Sequence, residues 1–139
     1  MSKLFSAVLV AAVLLIVSEH DTKALAQPCT AYCRSNEIRF TPGQRVGLQL
    51  VNRTAGLVQV QQSGRMHPYP LRPGQEIRLS FGEGTKPNLS LLFWDETDLP
   101  VRTLLFRPEE NVLKVEFLPS GSFSDRSISI LDDGRVVIY

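Results

Sequence analysis

Cysteine, histidine and methionine are scarce, with two of each in 139 residues, and past His67 none of the three occurs again. That keeps the usual imidazole and thiolate metal centres out of the C-terminal half. No G-x-S-x-G nucleophile turn is present. A Ser-His-Asp arrangement would have to borrow His67, the one histidine beyond residue 26, from a loop. Lysine is nearly missing beyond residue 26, two against eleven arginines. Net charge is also small, +1 overall, which argues against a nucleic-acid binder with its strongly basic face. Apolar residues at a 3.6-residue period, the mark of an amphipathic helix, are absent beyond the first segment.

What is present begins with a targeting pattern. Lys3 is followed by an apolar run from Leu4 to Val17 interrupted only by Ser6, then a polar stretch and Ala24-Leu25-Ala26. A basic start, an apolar middle and a small-x-small exit form a secretory signal, expected to occupy residues 1–26 and to form a helix. The run is shorter than the roughly 17 to 25 apolar residues that span a bilayer. Contact with the membrane is therefore expected only in transit, and the mature chain is expected in a periplasm, a lumen or the medium.

Residues 27–36 carry both remaining thiols, Cys29 and Cys33. In an oxidising compartment such a pair is normally joined. A helix-like turn across the three intervening residues would bring the Cα atoms to roughly 6 Å, inside disulfide range. So small a ring contributes about 2 kcal/mol in the loop-entropy model. The same spacing suits thiol copper carriers, in which soft thiolates hold Cu(I). Met66 and His67 would be the further ligands in that alternative, a periplasmic or lumenal thiol- or copper-handling protein. The disulfide is the leading expectation, with no cofactor and no metal.

Residues 37–139 read as one domain of short alternating runs divided by turn signals. Runs are expected at Glu37–Thr41, Arg45–Val51, Leu57–Gln62, Glu76–Phe81, Leu89–Trp94, Val101–Phe106, Val112–Leu118, Arg126–Leu131 and Arg135–Tyr139. Ile38 and Phe40 share a face, as do Val46, Leu48 and Leu50. Pro68, Pro70 and Pro73 make the stretch 63–74 a connection or an edge, because proline lacks a ladder donor. Thr41-Pro42-Gly43-Gln44 reads as a type II turn, and Pro73-Gly74-Gln75 repeats its chemistry ahead of another strand. Asp132-Asp133-Gly134 reads as a tight hairpin turn. The expected fold is all-β, an Ig-like antiparallel sandwich of eight or nine strands, with a small barrel as the alternative.

Phe40 to Thr54, F-T-P-G-Q-R-V-G-L-Q-L-V-N-R-T, resembles the early strands of exported cupredoxin-like and bacterial Ig-like domains, where a P-G turn introduces a strand ending in Asn. The likeness implies a sandwich. The copper site of the cupredoxin-like members does not carry over, because its two His, one Cys and axial ligand cannot be supplied.

Polar candidates are few. Asp95, Glu96 and Asp98 share one loop, where they would either hold Ca²⁺ with backbone carbonyls or stand as solvated turn acids, the commoner case. Asn52-Arg53-Thr54 and Asn88-Leu89-Ser90 match the glycosylation sequon. Residues 27–82 carry an excess of positive charge and residues 83–139 an excess of negative charge, which would make a basic patch if the halves stayed apart.

The strongest functional signal is apolar. Leu89–Trp94 and Val101–Phe106 read as a hairpin with apolar residues on both faces. One face would be core; the other, Leu92, Trp94, Leu104 and Phe106, would be either covered or a contact surface. The sequence thus leads to an exported, non-enzymatic binding or scaffolding domain. Its partner is expected to be another protein or an envelope component, not nucleic acid.

Overall fold

The structure is a computed structural model that describes residues 38–80 and 89–139. The signal segment and the Cys29–Cys33 pair lie outside the described residues. Nine strands follow in order: β1 (Gly47–Asn52), β2 (Val58–Gln62), β3 (Tyr69–Leu71), β4 (Glu76–Ser80), β5 (Leu89–Asp95), β6 (Val101–Glu109), β7 (Val112–Pro119), β8 (Ser127–Ile130) and β9 (Val136–Ile138). They form a four-stranded sheet, β4-β1-β7-β6, and a five-stranded sheet, β3-β2-β5-β8-β9. The expected all-β sandwich is therefore present, as two open sheets and not a closed barrel.

Period-two alternation builds the core between them. Leu48 and Leu50 of β1 and Leu113, Val115 and Phe117 of β7 face Val58, Val60, Leu91, Phe93, Ile128 and Ile130 of the other sheet, and all are buried. Phe93 and Phe117 meet across the two layers with ring centroids 4.9 Å apart. Each such side chain contributes about 1.5–3 kcal/mol on leaving water.

The expected antiparallel pairing holds with one departure. β1 runs parallel to β7, from Gly47 opposite Val112 to Asn52 opposite Phe117. A parallel pair needs a long crossover, and here the chain makes it by passing through the other sheet between the two strands.

The connection at Asp95–Pro100 overturns the hairpin expected there. β5 lies between β2 and β8, whereas β6 pairs with β7 in the opposite sheet. The cause is local. The Asp95 carboxylate accepts hydrogen bonds from Thr97 N at 2.8 Å, Thr97 Oγ1 at 2.6 Å and Leu99 N at 3.3 Å. Asp98 then adopts a left-handed φ of 59°, and the chain turns across the sandwich instead of back along β5.

Elsewhere the turn chemistry acts as expected. Gly43 and Gly74 have φ of 81° and 73°, and Gln44 N and Gln75 N donate to Thr41 O and Arg72 O. The strands launched by these twin turns, β1 and β4, pair with each other, Leu48 opposite Leu79 and Leu50 opposite Ile77. The proline-rich stretch forms β3, an edge strand. Pro108 sits in the other sheet's edge strand, β6, where the register shifts between Phe106 and Glu109.

The first expected strand is reduced to a single bridge, Arg39 to Arg135. Its facing is as expected: Ile38 and Phe40 are buried. Phe40 N donates to Gly134 O at 2.8 Å and Val136 N to Ile38 O at 3.2 Å. Arg107 of β6 stacks over the Phe40 ring, 5.1 Å from its centroid, and its Nη1 donates to Arg39 O. This segment thereby seals the seam between the β9 and β6 edges.

Candidate functional site

Because β5 and β6 belong to different sheets, the four residues of the expected contact surface do not form one patch. Leu92 and Trp94 project from the outside of the five-stranded sheet. Leu104 and Phe106 project from the outside of the four-stranded sheet, on the opposite side of the molecule. Their environments differ as much as their positions.

Leu104 and Phe106 are half-buried by charged neighbours. Lys114, opposite Phe106 on β7, places its Nζ 5.5 Å from the ring centroid. The same ammonium lies 3.1 Å from Glu116, which stands opposite Leu104, and Arg53 approaches Glu116 at 3.7 Å. Gln49 donates to Glu76 at 2.6 Å on the same face. Side-chain stems cover apolar carbon there while the charged heads pair with one another. Of the two alternatives read from the sequence, cover fits this half.

Leu92 and Trp94 remain open, at 46% and 39% exposure. Gln59 stands directly across from Trp94, and Gln61 across from Leu92, both on β2. Ser127 of β8 stands across from Leu92 on its other side. Ser90 and Ser129 satisfy one another at 2.9 Å, and Gln61 Nε2 donates to Arg65 O at 3.1 Å. Among the described residues, no outward position on these five strands carries a charged side chain.

A concavity opens at the seam between β3 and β4. It has a volume of about 270 Å³, with Val60, Leu79 and Leu91 on its apolar side and Gln62, Arg65, His67, Pro68 and Tyr69 completing the lining. Met66 is not part of the lining and is 88% exposed. Among the described residues no group of three or more His, Cys, Asp or Glu stands together as a metal site.

Two polar residues that sequence reasoning treated as surface groups are buried and structural. Asn52 is fully buried. Its Nδ2 donates to Gly56 O and to Leu71 O, both at 2.8 Å, and its Oδ1 accepts from Thr54 N at 2.8 Å and Thr54 Oγ1 at 2.7 Å. A sugar cannot be attached to an amide so enclosed, which removes the first sequon; Asn88 of the second lies outside the described residues. Asp95 is likewise buried, so the reading of its loop as three solvated acids fails at this position. Burial pushes its carboxyl up, but the Thr97 hydroxyl, Thr97 N and Leu99 N outweigh that and hold it below the usual carboxylate range. A shared sequence signal was available: each is an Asx followed two residues later by Thr at a strand end, the pattern of a side chain that caps its own turn.

The chain matches no family model, and no curated protein is significantly similar to it.

Proposed function

We propose that this chain is an exported, non-enzymatic binding or scaffolding domain that engages an envelope component through the outer face of its five-stranded sheet, centred on Leu92 and Trp94. The observation that supports this is the exposure of a tryptophan and a leucine side by side, on a sheet whose described strands place no charged side chain outward. The opposite face solves the same problem in another way, by roofing Leu104 and Phe106 with paired charges. Tryptophan is among the residue types that most often dominate binding energy when a partner covers them.

The test is a comparison of Trp94→Ala and Leu92→Ala with the unchanged protein in capture of envelope fractions. Both variants should lose capture by tenfold or more, which corresponds to about 1.4 kcal/mol, while thermal melting stays close to that of the parent. Equal loss of stability and capture would make these residues part of the packing and remove the proposal.

A further inference from the structure

Resting on that reading, we infer that the partner of the Leu92–Trp94 face is a neutral polysaccharide, with a sugar ring seated on the Trp94 indole. The first ground is charge. The strands' outward positions on this sheet are uncharged among the described residues, whereas the other sheet presents Glu76, Arg78, Lys114 and Glu116. A face selected for a charged partner carries the opposite charge, since complementary potential gives specificity and on-rate. The outward strand positions of this one carry none, which favours a neutral partner.

The second ground is area. A stable protein interface covers about 800 Å² on each partner and is anchored by several aromatic, Met or Arg side chains. Here one tryptophan and one leucine project, each less than half exposed, and the only other apolar outward positions among the described strand residues are the small Pro70 and Val137, set among amides and hydroxyls. That is too little apolar surface for a protein partner but is matched to a single ring.

The third ground is hydrogen-bonding chemistry. A primary amide offers both donors and an acceptor, as a sugar hydroxyl does. Gln59 lies across the ladder from Trp94, so its Cβ is roughly 4.5–5.5 Å from that of the tryptophan. Gln61 follows on the same face about 6.8 Å further along β2. A ring lying on the indole turns its C–H bonds to the negative π face and its equatorial hydroxyls sideways to the amides. An extended chain then continues along the row toward Leu92 and Gln61.

Trp94 is the chain's sole tryptophan, so its fluorescence reports the proposed contact without interference. Soluble glucan, mannan and xylan oligosaccharides are titrated into the purified protein. At least one series should shift the emission saturably, and affinity should be nearly unchanged by raising salt, because no ion pair is made. Gln59→Ala should weaken binding by about tenfold, and Trp94→Tyr should retain more binding than Trp94→Ala in affinity electrophoresis. Envelope capture is measured in parallel after periodate oxidation or after protease digestion of the envelope. Trp94-dependent capture that survives periodate but not protease makes the partner a protein: the binding face then stands and the glycan inference falls. Failure of all three oligosaccharide series also overturns it. Capture indifferent to Trp94→Ala removes the underlying proposal itself.

Discussion

Gly134 shows how little latitude a single position has. Its φ is 83°, and its N donates to Leu131 O while Leu131 N donates to Arg135 O, the three-residue loop in which a type I turn is followed by a left-handed glycine. A Cβ there would also penetrate the carbonyl of Phe40. Gly134→Ala combines a strained backbone with a steric collision, so a loss of about 2–4 kcal/mol is expected in urea unfolding. Asp95 makes a pH-dependent contribution. Its folded pKa lies below the ordinary value, so the stability from its ionised form is present above about pH 4 and is lost as pH falls through the lower folded value. The stability difference between the parent and Asp95→Asn should therefore be largest near neutrality, about 1.5–3 kcal/mol, and should shrink in acid. A difference that does not change with pH would show that the carboxylate's charge is not what matters.

Among the elements, β5 and β6 carry the same apolar pattern to different ends. Both bury alternate residues, Leu91 and Phe93 in one and Val101 and Leu105 in the other. Among their outer residues, Leu92 and Trp94 of β5 stay partly open to solvent, whereas Leu104 and Phe106 of β6 face the Lys114–Glu116 pair. Phe106→Ala should accordingly leave partner capture intact and cost about 1 kcal/mol of stability, through lost packing and the lost cation contact. Trp94→Ala should do the reverse. A Phe106→Ala protein that melts normally but captures nothing would move the contact surface to the other sheet.

For the whole molecule, the seam sealed by residues 38–40 joins the sheets beyond their own ladders. Ile38 and Phe40 are as buried as any strand residue, although only one bridge holds their backbone in register. Phe40→Ala should cost about 3–5 kcal/mol, the range for deleting a buried aromatic ring. Hydrogen exchange of Val136, whose amide donates to Ile38 O, should accelerate with it. If the stability loss is small and that amide remains protected, the segment lies on the sandwich without helping to hold it.

The sequence determined what is local. Period-two alternation identified the buried faces of β1 and β5 and of the Ile38–Phe40 segment, because neighbouring side chains in a strand point to opposite sides whatever the strand pairs with. The P-G-Q and D-D-G turns were legible because their φ requirements are met by the residues within them. Only the tertiary structure decided which sheet each strand joins. Pairing partners lie far apart in the chain, and their choice depends on closing long loops around a common core, which no short window of residues records. The parallel β1–β7 pair and the separation of Leu92 and Trp94 from Leu104 and Phe106 both belong to that decision. The interior roles of Asn52 and Asp95 do as well: an Asx-x-Thr pattern specifies a capped turn, but only the packing of two sheets around it removes the cap from water.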